Sequence, residues 1–257
     1  WLKSLQWAGR PLLDNFLNRT FGTGDDPTTR AVSRAFVVQL VKRAFEPGCK
    51  ADYALFIQGK QGIGKSTCLK DLVGDKYFAD SFMDLRNKDA YQQIAGKWLY
   101  EFPELVTTSK YDEAVNKSFI SSKSDRYRPP FARAVIDHPR LAVFAGTTND
   151  AEFFTDTTGN RRFWVIEATK ADFEYVKQAR EQIFAEAVVA YNAGEKPLLN
   201  KQDEDEMAER AKLHVKSVFD DNPYLERLHV FLQRNPRCLG VSIAFLLENL
   251  PNMPSSN

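Results

Sequence analysis

The sequence predicts an α/β fold: a parallel sheet flanked by helices, with an N-terminal helical segment and a C-terminal helical lid. Three observations predict it. A glycine-rich loop lies between a short apolar run and a helix-forming stretch. Three more apolar runs follow, separated by polar or helical stretches, and strands alternating with helices build a parallel sheet. Both ends of the chain carry apolar residues at helical spacing. The boundaries follow: 1–50 as the N-terminal helical segment, 51–170 as the core around the glycine loop, and 171–257 as the C-terminal helical region.

In the first segment Leu12, Leu13, Phe16 and Leu17 recur at helical spacing, and Gly24, Asp25, Asp26 and Pro27 break the chain. "AVSRAFVVQLVKRAF" resumes the helical pattern and "EPGCK" closes it. "YALFIQ" reads as a buried strand ending at Gly59, after which "KSTCLKDLV" opens a helix. The other strand candidates are "KWLYEF" (97–102), "RLAVFAG" (140–146) and "RFWVIEA" (162–168). From residue 171 onward "FEYVKQAREQIFAEAVVAYNAGE" reads as a helix ending at Gly194 and Pro197, the expected lid. "KQDEDEMAER" (201–210) reads as a helix-prone, solvated face. The last stretch, "PYLERLHVFLQRNPRCLGVSIAFLLENL", reads as a helix, a turn at Asn235 and Pro236, and a helix capped by Ser242. Two readings stay open for it, the start of a winged-helix module and a plain packing hairpin.

Composition narrows the function. With 257 residues and a hydrophobic fraction of 43%, the chain has material for a sizeable core. No run approaches the length of a membrane span, and Trp1-Leu2-Lys3-Ser4-Leu5 is neither a basic leader with an apolar block nor a start with Met. The expectation is a soluble, cytoplasmic chain with no membrane contact, cut from something longer. Cys49, Cys68 and Cys238 show no paired spacing, and His138, His214 and His229 are scattered, so neither a disulfide frame nor a zinc site is indicated. A net charge of +1 argues against a polycationic nucleic-acid coat. Charge is local instead: residues 117–133 carry Lys117, Lys123, Arg126, Arg128 and Arg133 against Asp125 alone.

Gly59-Lys60-Gln61-Gly62-Ile63-Gly64-Lys65-Ser66 fits the phosphate-loop pattern GxxxxGK[ST]. In that pattern the backbone N–H groups from Gly59 through Thr67 cradle phosphates, Lys65 reaches the β and γ oxygens, and the Ser66 hydroxyl holds Mg²⁺. The ligand implied is ATP with Mg²⁺. Hydrolysis further needs a carboxylate at a neighbouring strand end for the magnesium shell and a group that orients water. "KWLYEFPEL" offers Glu101 for the first and Glu104 for the second, against the plain alternative of solvated acids. Asn149, just past "LAVFAGTT", is placed to hydrogen-bond a γ-phosphate and a water; the plain alternative is a turn cap. Arg161 and Arg162 precede the next strand, and a guanidinium there suits charge developing on a transferring phosphoryl group in a neighbouring subunit. Adjacent residues in extended chain point opposite ways, so at most one of the two serves as a finger, and the other anchors the loop or reaches an acid such as Asp156. Lys123, Arg126, Tyr127, Arg128 and Arg133 combine cations for phosphates with an aromatic face for bases, against the alternative of a basic surface loop.

This order of motifs resembles the superfamily 3 helicases within the AAA+ class, and more closely the virulence-associated protein E family of phage and mobile-element ATPases. The matching stretches are "PGCKADYALFIQGKQGIGKST", "KDAYQQIAGKWLYEFPEL", "SDRYRPPFAR", "PRLAVFAGTTN" and "FFTDTTGNRRFWVIE", which cover residues 47–167 densely. "WAGRPLLDNFL" extends a weaker likeness to the start. The resemblance implies a P-loop AAA+-type core and an ATPase motor acting on single-stranded or forked DNA during replication of the element. It also implies a homo-oligomer in the form of a hexameric ring, a primase domain or replication protein upstream, and residence in the cytoplasm of a bacterial host. Lys65 and Ser66 carry over as Walker A, Glu101 as Walker B, Asn149 as the sensor and the basic stretch as the DNA-facing element. The acids read E-x-x-E here, whereas many AAA+ proteins have them adjacent. Two other classes stay open: a nucleotide-gated switch that regulates a partner without translocating, and a small-molecule kinase.

Overall fold

Helices α1 (Phe16–Phe21) and α2 (Pro27–Phe45) open the chain, parted by the glycine- and aspartate-rich break. The computed structural model that shows them describes residues 1–81, 90–103, 110–129, 133–154 and 162–215. At the break Asp26 caps α2, its carboxylate accepting from the Thr29 backbone N–H at 2.9 Å, and Pro27 takes the first helical position, where no N–H is missed. Along α2, Val32, Phe36, Val37, Val38, Leu40 and Val41 are all fully buried, so this helix lies inside the protein. Segment 12–13 is tied across to the later chain: the Leu12 and Leu13 N–H groups donate to Glu186 at 2.5 and 3.1 Å.

The remaining elements in chain order are β1 (Ala54–Gln58), α3 (Lys65–Val73), β2 (Phe78–Ala79), α4 (Ala90–Gln93), β3 (Leu99–Pro103), α5 (Lys110–Ser121), β4 (Ser124–Tyr127), β5 (Ile136–Pro139), β6 (Val143–Thr148), β7 (Phe163–Glu167), α6 (Phe173–Asn192) and α7 (Lys201–Lys212). Among the described residues a five-stranded sheet runs β2-β3-β6-β1-β7, with every pairing parallel. Residues of β1 alternate between two cores. Leu55 and Ile57 pack with α1, α2, α3 and α6, while Ala54 and Phe56 pack with Phe119, Ile120, Phe153 and Phe154. Burial on both faces is why these strands read as continuous apolar runs.

Two expectations need correction. The helix from residue 171 onward is built into the core and is no lid: Val176, Ile183, Phe184, Ala187 and Ala190 share one buried cluster with α2 and α3. An apolar stripe on a helix announces burial without naming its partner. The acidic segment 201–210 is helical, yet one stripe of it, Asp203, Met207 and Ala211, is buried. Asp203 enters because Thr28 donates to it at 2.6 Å and Asn200 at 2.7 Å.

Arg210 on α7 donates to Asp26 at 2.8 Å and to Thr29 at 2.9 Å, joining α7 to the start of α2. Burial raises the Asp26 pKa, but hydrogen bonds from Arg210, the Thr29 hydroxyl and the Thr29 N–H outweigh it and hold the carboxyl at about 2. A depressed carboxyl adds stability that is complete above its unfolded pKa of about 4 and is lost as pH falls through the folded value. Asp26 is 37% exposed, so solvent reduces the gain to on the order of 1 kcal/mol. Asp26→Asn is expected to lower the unfolding free energy by that amount at about pH 7, and the gap should close at about pH 2. Urea melts of both proteins across this range would read it; a pH-independent gap would refute the assignment.

Candidate functional site

The glycine loop joins the end of β1, which lies between β6 and β7 in the sheet, to the start of α3. Its two ends are fixed by backbone. The Gly59 N–H donates to the Thr148 carbonyl at the end of β6 at 3.0 Å, and a Cβ on Gly59 would stand 2.5 Å from the Ala168 carbonyl beyond β7. Only glycine fits there. Gly64 caps α3 at φ +100°, a conformation that side-chain-bearing residues rarely adopt. Between these ends Gln61 and Gly62 are exposed, Ile63 packs partly on the core, and Thr67 is exposed on the first turn of α3. The first N–H groups of that helix have no partner within it and face the loop. Lys65 is buried and lies back on the loop, donating from Nζ to the Gly59 carbonyl at 2.6 Å and the Lys60 carbonyl at 2.9 Å. Burial lowers its pKa from the usual lysine range, and the Glu101 charge opposes that shift.

Glu101 comes from β3, two strands away, and is completely buried. Its Oε1 accepts from the Ser66 hydroxyl at 2.7 Å and from the Thr147 hydroxyl of β6. Its Oε2 is buried with no hydrogen-bond partner among the described residues. Burial raises the Glu101 pKa; the hydrogen bonds from Thr147 and Ser66 and the Lys65 charge lower it, and the Asp80 charge adds to the rise. An orphaned carboxylate oxygen beside a hydroxyl at a helix N-terminus is chemically suited to a hard divalent cation. Among the described residues no group of three or more His, Cys, Asp or Glu could hold a metal by itself. The donor set therefore fits Mg²⁺ bound together with phosphates, the ion's usual mode.

Asn149 is exposed and directly follows β6, whose last residue, Thr148, pairs with Gln58. It thus stands level with Gly59. Thr147 was not anticipated: in sequence it is one of two threonines before a turn, and only the parallel register of β3 with β6 sets it beside Glu101. Glu104 and Arg161 lie outside the described residues.

Arg162 occupies the opposite end of the sheet. Phe163, the next residue, pairs with Ala54 at the start of β1, and five residues at about 3.3 Å each separate that level from the loop. An arginine side chain does not span such a distance. Arg162 lines a cleft with Lys117, Ser118, Ser121 and Ser122.

The basic stretch forms an antiparallel hairpin, β4 with β5, separate from the main sheet. Lys123, Arg126, Arg128 and Arg133 are exposed on it; residues 130–132 lie outside the described residues. Tyr127 is half-buried and stacks on His138 at 4.1 Å between ring centres, so one of its faces is already covered. No helix among the described residues is long and apolar enough to cross a membrane. The winged-helix or hairpin reading of the final stretch falls outside the described residues.

Comparison with known proteins places the chain. No curated protein sequence matches it. Its fold is similar to the apo structure of the NrS-1 C-terminal region, with a TM-score of 0.57 at 15% identity, covering 96% of this chain and 64% of that one. Two A-form apo structures of that region give TM-scores of 0.56 and 0.55 at 16% identity, each covering 91% of this chain and 61% and 62% of theirs. The chain spans less than two thirds of the length of these structures. The family model described as the virulence-associated protein E-like domain matches residues 2–216. The chain belongs to the virulence-associated protein E-like family.

Proposed function

We propose that the chain is an ATP-hydrolysing, DNA-dependent motor of helicase type, built on a P-loop AAA+ core and acting in replication of a phage or mobile element. The observation that carries this reading is the Ser66 and Glu101 pair, with its orphaned carboxylate oxygen, directly at the foot of a GxxxxGKS loop. Ser66 and Glu101 would hold Mg²⁺, which would supply charge neutralisation for phosphoryl transfer. Lys65 leaves the loop carbonyls for the β and γ oxygens, the loop N–H groups hold the remaining phosphate oxygens, and Asn149 orients the attacking water. Glu104 is the candidate to take its proton.

Position supports a finger acting between subunits. Arg162 stands at the far end of the sheet from its own loop, so as a finger it would reach only a neighbour's nucleotide; Arg161 remains the other candidate from sequence. A finger acting between subunits requires a homo-oligomer, and the family resemblance implies that this is a hexameric ring. The hairpin presents Lys123, Arg126, Arg128 and Arg133 to single-stranded or forked DNA, with the uncovered face of Tyr127 for a base. A primase domain or replication protein upstream would deliver the substrate, in the cytoplasm of a bacterial host.

The test is ATP turnover against increasing single-stranded DNA at low and high protein concentration. Stimulation that grows with both is expected. One observation favours a second reading, a nucleotide-gated switch: Lys65 donates to the Gly59 and Lys60 carbonyls and Ser66 to Glu101, bonds that a nucleotide would exchange for its own oxygens. ATP binding with slow turnover, indifferent to DNA at all concentrations, would favour the switch and reject the motor.

A further inference from the structure

We propose that Asp80 is a second carboxylate of the divalent-ion site, standing beside Glu101 on the adjacent strand and acting on the ion through water; this rests on the nucleotide-hydrolysing reading above. Strand β2 pairs in parallel with β3 through Phe78 with Leu99 and Ala79 with Tyr100. Carried one residue past the end of β2, this register sets Asp80 opposite Glu101. The face is fixed by alternation. Phe78 and Leu99 both pack in the core beneath α3, while Ala79 and Tyr100 pack in the other core. Asp80 and Glu101 therefore belong to the α3 face, the one that carries Ser66. Neighbouring strands lie about 4.8 Å apart, a spacing that lets two carboxylates share one hydrated ion.

The backbone around Asp80 is held on both sides. The Trp98 N–H donates to the Tyr77 carbonyl at 2.8 Å, and the Tyr100 hydroxyl donates to the Ser81 carbonyl at 2.5 Å. An exposed acid at a strand end is ordinarily just solvated. Here a second, independent feature points to a cation: Glu101 Oε2, fully buried and unpartnered, next to it. Mg²⁺ takes one or two carboxylates with phosphates and keeps several waters, and exposed Asp80 suits the outer, water-bridged position. It is a positioning residue, since it orders the ion's waters without touching the phosphates.

The experiment uses the whole chain and Mn²⁺ as the probe, with free Mn²⁺ followed by electron paramagnetic resonance in the presence of ADP. Binding of a fluorescent ADP analogue in EDTA is measured in parallel. Asp80→Asn is expected to bind the analogue in EDTA within about twofold of wild type, while Mn²⁺ affinity of the ADP complex falls about tenfold. Asp80→Glu should recover most of it, and Glu101→Gln should lose at least as much as Asp80→Asn. Unchanged Mn²⁺ affinity in Asp80→Asn, with ADP still bound, overturns the assignment and leaves the nucleotide reading standing. Failure of the wild type to bind the analogue at all defeats that reading, and Asp80 with it.

Discussion

Replacing Glu101 by Gln is expected to raise the melting temperature of the metal-free protein while reducing ATP turnover to background. The two effects share one cause. Glu101 is wholly buried, and one of its oxygens has no partner among the described residues, so the nucleotide-free fold carries an under-solvated carboxylate. Burial raises its pKa, and a carboxyl raised above its unfolded value costs stability at every pH above that value. The cost grows as pH rises from the unfolded value and is complete once pH has passed the folded one. A glutamine keeps the shape and the Oε1 acceptor for Ser66 and Thr147 but removes the buried charge, for a gain of about 2–4 °C if about 1 kcal/mol is recovered. On the motor reading the same change would deprive Mg²⁺ of its anionic ligand, and loss of a preorganised charge of this kind costs about 10²-fold or more in rate. Lys65→Ala separates the steps: its loss should abolish turnover by weakening nucleotide binding itself, whereas Glu101→Gln should still bind nucleotide. Calorimetric melts in EDTA, nucleotide titrations and phosphate release read all three. A Glu101→Gln protein that melts lower, or still turns over, would sink the account. Stability spent at a working site is the general pattern in enzymes.

The elements that could be read from sequence are those whose residues face two cores at once. The runs in β1, β3 and β7 are apolar on both faces, so "ALFI" and "FWVI" declare themselves without any alternation. Strand β6 runs on through Thr147 and Thr148, which in sequence look like the polar start of a turn; they belong to the strand because parallel neighbours β1 and β3 accept them in register. The loop and Glu101 were legible because the chemistry dictates spacing within one strand–loop–helix unit and one strand end. Thr147 and Asp80 were not, since each acquires its position only through pairing between distant segments. Helix α6 displayed an apolar face, but nothing local distinguishes packing on α2 and α3 from covering a ligand. Arg43 and Arg140 illustrate the remaining blind spot: nothing in their local sequence announces burial, and both are almost wholly buried.

Arg140 yields the largest expected change in stability. Its side chain is 1% exposed and that of Asp125 is 6%. The Arg140 Nε donates to the two Asp125 oxygens at 3.1 and 3.0 Å, Nη2 donates to Asp125 as well, and Nη1 donates to the Phe119 carbonyl near the end of α5. The guanidinium also lies over the Phe119 ring at 4.5 Å and the Phe144 ring at 5.4 Å. Its backbone carbonyl accepts from Arg43 on α2 at 2.9 Å. One residue thus ties the hairpin base to α5, β6 and α2. Arg140→Met strands a buried aspartate without a counter-charge, and breaking such a pair costs about 3–5 kcal/mol. Arg140→Met with Asp125→Leu should cost much less than the sum of the single changes, because the uncompensated charge is gone. Urea unfolding of the four proteins, followed by tryptophan fluorescence, gives the coupling directly; a single-variant loss below about 1 kcal/mol would show the pair to be solvated in solution. The functional consequence is separable. Arg140 lies before β6, at the end of the sheet away from the glycine loop, so ADP affinity should survive in the double variant. Without the guanidinium to fix the hairpin base, Lys123, Arg126, Arg128 and Arg133 lose their common orientation, and on the motor reading stimulation of turnover by DNA falls while the DNA-free rate stays.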